Sequence, residues 1–453
     1  MLVQALNAIQ RLCEYCLDLD YYIEIGMELS PITSAETSKY FTKDHFKKQI
    51  ELIKMASEVA QKKMDYYVAH DDNILYAIEI VEQFLRKTHR ICYGGQAINA
   101  HLPSSHKIYD PQYSIPDYDL FSPSPNKDVE LLINMLQNAG FQEVSIREGM
   151  HEGTIKVYVD FIPVADVTAI HPYIFKTLYK KSAVFDGIHY LDANSLRMLM
   201  YLELSRPRGE VARWSKVFER LMVFNEFIPI SHCKIYHKNV NITHTHVNIM
   251  VHFIINNKRI FAGADLLEFY DVMQKDVQLE ITEKRPILFY SPSSYKDAVE
   301  IVSQFRSLHN SKRFSIQNFS IHKADMIPFF TMIKYGKQII ACIIQYSACH
   351  SYINADSPYG KIKIASIDTL ITLYFSLGLL QKRLFNIGSI ECMANKLIEI
   401  SMKIRSRDHY KFPFISVKCS GHQTSLPSLI RAKVNRISRK KKNVNRKTYR
   451  HKR

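Results

Sequence analysis

The run IPDYDLF sets Asp117 and Asp119 two residues apart on what reads as a short strand. Side chains alternate along a strand, so both carboxylates face one side, about 7 Å apart at the backbone. Carboxylates held side by side repel, and a divalent cation between them removes the penalty. Two Mg²⁺ ions about 4 Å apart on such a pair would activate both the attacking and the leaving oxygens of a phosphoryl displacement. Alone, D-x-D is a weak signal, because solvated strand edges carry it too. Gly94 and Gly95, the first of them 23 residues before Asp117, raise its value. They fall between a strand and a helix, where a turn without side chains lets backbone N–H groups and a helix N-terminus approach a triphosphate.

Such chemistry needs a third carboxylate from a neighbouring strand, to bind metal and take the proton of the incoming hydroxyl. Asp160 and Asp166 are the two candidates. Asp160-Phe161 sits where a hairpin turns, a common place for Asp as a turn former. Asp166 lies inside the apolar strand VADVT, where a lone charge is costly unless something compensates it. Asp166 is therefore preferred and Asp160 is kept open. Further on, LSRPRGEVARWSKVFERL spaces Arg213, Lys216 and Arg220 as one basic helical stripe beside Trp214, the only Trp of the chain. A stripe of that kind holds a triphosphate or an RNA backbone and offers an aromatic for base stacking. It could equally be a solvated basic face with the indole in the core.

The elements that must position these residues follow from periodicity. Residues 1–69 read as a helical segment, and Ile74, Ile78, Val81 and Phe84 then mark an amphipathic helix. A strand over residues 90–93 runs into the glycine pair, and a strand over 118–121 carries the D-x-D. SPSPNKD signals the start of the helix VELLINMLQNAG, closed by Gly140. Alternating apolar residues over 154–168 predict a hairpin turning near 161–163, and residues 194–225 read as helical with SRPRG as a break.

The second half repeats this layout. An offset of 169 residues places Gly94 on Gly263, Ser122-Pro123-Ser124 on Ser291-Pro292-Ser293, and Lys127-Asp128 on Lys296-Asp297. The hairpin then matches at an offset of 175 to 176, and Ser195-Leu196 matches Thr369-Leu370 at 174. Small drifts in loops are what two copies of one fold give. In the second copy Asp117, Asp119 and Asp166 become Pro286, Leu288 and Cys342. One copy thus looks catalytic and the other a structural or RNA-holding relic.

A chain of 453 residues, 47% of them hydrophobic, can bury the core of more than one domain. The expected division is a helical segment at 1–69, a catalytic domain with following helices at 70–230, a degenerate copy at 231–410, and a basic tail at 411–453. Twelve of the sixteen net positive charges fall in residues 431–453, a stretch without Asp or Glu and too poor in apolar residues for a core. That tail is expected to be disordered when free and points to a polyanion partner, or else to a localisation signal that an import receptor would read in its SRKKK run. Eight Cys stand in no framework spacing, and Cys13 with Cys16 forms a single C-x-x-C that lacks two further zinc ligands. Free thiols and a reducing compartment are expected. No basic n-region precedes an apolar run at the N-terminus, and the longest apolar stretch, residues 370–380, is too short to span a bilayer.

CYGGQAINAHLP, SIPDYDLFSPSP, VADVT and ELSRPRGEVARWSKVFERL, in this order, resemble the successive motifs of the poly(A) polymerase catalytic subunit of large nucleocytoplasmic DNA viruses, of the mimivirus and African swine fever virus type. The resemblance covers residues 70–230 in specific motifs and the second half more loosely, through ACHSY and IKIASIDT. It implies a polymerase-β-like nucleotidyltransferase domain followed by a second, degenerate copy, an α/β (α+β) fold. It further implies Mg²⁺ or Mn²⁺, ATP as substrate and an RNA 3′ end as acceptor. Its acidic ligands carry over onto Asp117, Asp119 and, by the VAD motif, Asp166; its glycine pair carries over onto Gly94 and Gly95. Arg213 and Lys216 are the further nucleotide-binding candidates. The hairpin turn departs from the family, with Asp160-Phe161 in place of an Asn-Gly-like pair, which keeps Asp160 in play. The expected activity is template-independent addition of AMP to RNA. A uridylyl- or oligonucleotide-synthesising transferase and a catalytically silent RNA-binding protein are the rivals. The expected setting is the host cytoplasm, in viral factories, without a membrane. Packaging in the virion, a homodimer and a processivity partner are left open.

Overall fold

A computed structural model describes residues 43–231, 233–235, 240, 242–272, 277–309, 313–320, 326–380, 387–407 and 416–450. Cys13 and Cys16, and the predicted helical segment before residue 43, lie outside the described residues. Helix α1 (Lys43–Ala69) is mostly exposed along its described length. Contacts divide the chain between Asp65 and Tyr66, and Tyr66–Arg453 forms one compact unit.

Within that unit the apolar stripe read from the sequence becomes α2 (Asp72–Thr88). Asp71 caps it by accepting from the backbone N–H of Asn73 and Ile74, and Ile74, Ile78, Val81 and Phe84 are all buried. A left-handed His89 (φ 52°) ends the helix. The first copy continues as β1 (Ile91–Tyr93), α3 (Gly94–His101), β2 (Tyr118–Ser122), α4 (Pro125–Asn138), β3 (Val144–Glu148), β4 (Thr154–Val159), β5 (Ile162–Ala169), α5 (Pro172–Lys181), β6 (Ala183–Phe185), β7 (Ile188–Tyr190) and α6 (Ala193–Leu204). Its strands form one sheet in the order β3-β4-β5-β2-β1-β7-β6. Helix α7 (Trp214–Phe227) follows a single 3₁₀ turn.

The second copy runs α8 (His244–Asn256), β8 (Ile260–Phe261), α9 (Asp265–Val272), β9 (Ile287–Ser291), α10 (Ser294–His309), β10 (Phe314–Phe319), β11 (Phe330–Tyr335), β12 (Gln338–Gln345), β13 (His350–Ser357), β14 (Gly360–Ala365) and α11 (Ile367–Gly378). After it come α12 (Ile387–Arg407), β15 (Cys419–Ser420) and α13 (Leu426–Arg450). The second sheet has the order β10-β11-β12-β9-β8-β14-β13-β15. Removing β15 leaves the topology of the first sheet, including its parallel β2–β5 and antiparallel β1–β2 pairings, matched by β9–β12 and β8–β9.

Side chains repeat along with strands. Arg90 grips Asp128 through Nε (2.6 Å) and Nη2 (3.0 Å), and Arg259 grips Asp297 in the same way at 2.7 and 2.9 Å. The Ser122 hydroxyl accepts from the Ser124 N–H and the Ser291 hydroxyl from the Ser293 N–H. Asp192 and Ser366 cap α6 and α11 by accepting from the N–H three residues on. The apolar stretch at residues 370–380 supplies most of α11, which is buried and packs against α6 and α12. No helix among the described residues is long and apolar enough to cross a membrane.

One expectation is corrected here. Cys233 pairs with Cys392 (Cα–Cα 5.6 Å) and Cys349 with Cys419 (Cα–Cα 5.4 Å), while Cys92 and Cys342 are free and buried among the described residues. The partners lie 159 and 70 residues apart, so only the fold, not local spacing, brings them within disulfide reach. Within the basic tail, Leu426–Arg450 is helix α13. Lys and Arg are good helix formers and need no core to adopt the conformation. Leu426, Ile430 and Val434 of α13 remain exposed.

A carboxylate cleft on the first sheet

Register decides which acidic residues meet. In β2 and β5, parallel neighbours, Asp119 stands opposite Asp166, and Asp119 also faces Tyr93 of β1. Asp117 directly precedes β2, at the mouth of the same face. Asp160, by contrast, lies exposed in the two-residue turn between β4 and β5, at the far end of the strand that carries Asp166. Asp160 (φ 48°) and Phe161 (φ 67°) both take left-handed backbone, as such a turn requires. Asp160 therefore shapes the hairpin and Asp166 faces the pair.

The glycines make room for the cleft. Gly94 has φ +71°, and a Cβ on it would collide with the Asp119 carboxylate. A Cβ on Gly95 would collide with the Tyr109 hydroxyl, which accepts from Arg220 Nη2 at 3.0 Å while the guanidinium sits 5.3 Å over the ring. Tyr109 so links the glycine turn to the basic helix, a connection nothing in the sequence spacing suggested.

The electrostatics are those of crowded negative charge. Burial first, then Asp117 and Asp166, push the Asp119 carboxyl up to about 7, against the pull of Lys156 and Arg213. Asp117 is raised too, by the protein packed around it and then by the Asp166 charge, although its side chain opens to solvent. Lys156, opposite Asp166 on β4, forms an ion pair with Asp166 Oδ2. Burial disfavours its ammonium, but Asp166 and Asp117 outweigh that and hold its pKa above the ordinary value. Asp166 is buried, and its Oδ1 has no hydrogen-bond partner. Next to it Thr168 shares its hydroxyl with Tyr93 Oη and Thr154 Oγ1, each at 3.0 Å. Lys156, Tyr93, Thr154 and Thr168 were not singled out from the sequence. The alternation that placed Asp166 in the cleft places Thr168 beside it and was the available signal.

Among the described residues, no three His, Cys, Asp or Glu side chains are gathered closely enough to hold a metal ion as they stand. The donor set nonetheless fits a divalent cation: a buried oxygen without a partner, and a carboxyl whose proton affinity is raised by burial and then by its neighbours' charge.

The basic stripe is placed with differences. Arg213 precedes α7, pairs with Glu203 (3.5 Å) and Glu210 (3.4 Å), and its charge reaches Asp119. Lys216 is exposed, and Arg220, burial and Arg213 lower its pKa. Trp214 packs against the core and donates Nε1–H to the Glu203 carbonyl at 3.1 Å, so of its two readings the structure favours the indole in the core.

Residues 79–210 match the family model described as Poly(A) polymerase catalytic subunit. A mimivirus protein with the provisional name of poly(A) polymerase catalytic subunit is 32% identical over 158 residues, 34% of this chain and 26% of that protein. An African swine fever virus protein of the same provisional name is 31% identical over 180 residues, 38% of this chain and 36% of that one. The chain thus spans between 26% and 36% of the length of these two relatives. Among solved structures the Megavirus polyadenylate synthase superposes with a TM-score of 0.70 at 18% identity, over 92% of this chain and 86% of that one. The resemblance carried by the motifs is borne out, and the fold is of the nucleotidyltransferase type.

Proposed function

We propose that this chain is a template-independent poly(A) polymerase that transfers AMP from ATP to RNA 3′ ends. The observation that carries the reading is that Asp119 and Asp166 stand opposite each other on neighbouring strands, within the field of Asp117 just before β2, on a sheet whose duplicate has lost all three. Likeness to viral poly(A) polymerase catalytic subunits over residues 79–210 supports the choice of reaction.

Asp117, Asp119 and Asp166 are the side chains that would hold Mg²⁺ or Mn²⁺. Such ions, when bound, neutralise phosphate charge and activate the two oxygens of the displacement. The chain's own groups have separate tasks. Asp166 Oδ1, free of partners, accepts the proton of the acceptor hydroxyl, while Lys156 fixes the other oxygen. The acceptor oxygen bonds to the α-phosphorus, the bond to the β-phosphate breaks, and pyrophosphate leaves. Gly94 keeps Asp119 close beneath the turn that would face the triphosphate, Arg213 brings positive charge within reach of Asp119, and Lys216 lies within the field of Arg213. Preference for ATP rests on the relatives, since the motifs suit any nucleoside triphosphate.

Incubation with a labelled oligoribonucleotide and each NTP in Mg²⁺ and in Mn²⁺ tests the reading. ATP-dependent lengthening is expected. Faster incorporation of UTP would favour a uridylyltransferase, and no incorporation under any condition would leave an RNA-binding protein.

A further inference from the structure

Helix α13 carries ten Lys or Arg and no acidic residue between Arg431 and Arg450. Its apolar residues are not fully buried: Leu426, Ile430 and Val434 are exposed, and Leu429 and Ile437 are half-buried. Lys433, Arg436 and Arg439 follow one another at a spacing of three, a like-charge pattern that does not favour the helix. Yet it is tied down at two points. At its root, β15 pairs with β13 (Cys419 with Ser351, Ser420 with His350), and the Cys349–Cys419 disulfide locks that pairing. Gly421 (φ +109°) then lies so close to the Ala348 carbonyl that no Cβ would fit. Further along, Arg436 Nη2 donates to the Met150 carbonyl at 3.1 Å.

Met150 belongs to the loop between β3 and β4, and β4 carries Thr154 and Lys156 of the carboxylate cleft. The neighbouring His151 contacts Glu210 at 3.7 Å, and Glu210 in turn holds Arg213. A helix rooted on the second copy is therefore pinned to the rim of the cleft on the first. We propose that α13 is a track for single-stranded RNA, gripping the sugar–phosphate backbone upstream of the 3′ end that enters the cleft. The proposal rests on the reading of RNA as acceptor. Its further content is the surface, the polarity of its charge and its anchoring across both copies. Neutralisation by phosphate relieves the repulsion along the helix and releases counterions from the RNA.

The test is fluorescence anisotropy of the full chain with a labelled single-stranded oligoribonucleotide in EDTA, over a series of salt concentrations. The variant combines Arg431→Gln, Lys433→Gln, Arg439→Gln, Lys440→Gln and Lys442→Gln and keeps the Arg436 anchor; an unchanged thermal melt shows that it folds. Affinity should fall about tenfold or more, and the slope of log affinity against log salt should flatten by about three, at roughly 0.7 per single-strand contact. Unchanged affinity and slope overturn the proposal, as does an equal loss on duplex DNA of the same length. EDTA separates this outcome from the catalytic reading. A variant that binds as wild type refutes the track while ATP-dependent tailing stands. A variant that loses RNA beside a wild type that adds no nucleotide refutes the polymerase and leaves the track.

Discussion

The two sheets agree in strand order, pairing sense and scaffold ion pair, yet their cleft faces have opposite character. Where the first sheet carries Asp119, Asp166, Lys156, Thr154, Thr168 and Tyr93, register places Leu288, Cys342, Met332, Phe330, Ile344 and Ala262 on the second. All but Leu288 are fully buried, so the second face is filled as core and is no vacant copy of the first. Carboxylates, counter-ion and hydroxyls were exchanged as a set. A lone buried charge or hydroxyl left behind would have cost stability without a partner, which explains why the replacement is complete. The Arg90–Asp128 and Arg259–Asp297 pairs persist because each ties its helix to the sheet in either setting.

The sharpest way to break this comparison is to take the carboxylates from the first face. Asp119→Ala or Asp117→Ala should lower nucleotide incorporation more than a hundredfold in a primer-extension assay, as electrostatic catalytic groups commonly do, while leaving the fold intact. Retention of more than about a tenth of wild-type activity, against the loss typical of such groups, would sink the assignment. Asp166→Asn should match that loss, because an amide can neither accept the proton nor balance a cation. Asp160→Asn should stay active, its place being the turn.

The shared scaffold predicts the reverse pattern: equal effects on both sides. Arg90→Ala and Arg259→Ala each strand a buried carboxylate, Asp128 or Asp297, and each should cost about 3 to 5 kcal/mol in urea unfolding. A large cost on one side alone would mean that the two copies no longer rely on the same tie.

Much of this pattern was legible in the sequence, and the gaps have physical causes. The cost of a lone charge inside VADVT singled out Asp166 over Asp160, and the drifting offsets predicted the duplication that the topology displays. Lys156 was invisible because a lysine in an alternating strand normally reads as a solvated face. Tyr109 was invisible because a loop residue reaches Gly95 only in three dimensions. The disulfides escaped for the same reason, their partners being 159 and 70 residues apart. The ties of α13 through β15, one disulfide and Arg436 were not legible either, because composition weighs core formation and not such long-range contacts.

If the second face is truly core, a carboxylate should be unwelcome there. Cys342→Asp restores the residue type of position 166 in surroundings of Met332 and Leu288, without a lysine. It should destabilise the protein by about 3 kcal/mol in equilibrium unfolding, the order expected for an unpartnered buried polar group. It should not add activity. A neutral effect on stability would show that the second face is open to solvent, contrary to its burial.

The smallest effect, and the finest probe of the difference, is the pH dependence of the metal-free protein. Asp119 has an ordinary carboxyl pKa near 3.8 when unfolded and about 7 when folded. The folded state therefore binds the proton more tightly, so its contribution is complete below the unfolded value and is lost as pH rises through 7. In EDTA, the melting temperature of wild type should fall relative to that of Asp119→Asn between pH 5.5 and 8, by a few degrees. The amide has no proton to lose, so subtracting its melting curve removes the background from histidines and other shared groups. Mg²⁺ should then raise the wild-type melting temperature most at pH 8, where the carboxylates are ionised, and should leave Asp119→Asn nearly unmoved. Leu288→Asn, the matched change on the second face, should lower the melting temperature by the same amount at every pH, since nothing titrates there. A wild-type curve parallel to that of Asp119→Asn across this window would mean that the three carboxylates do not share one field, and the cleft would lose its claim to bind a cation.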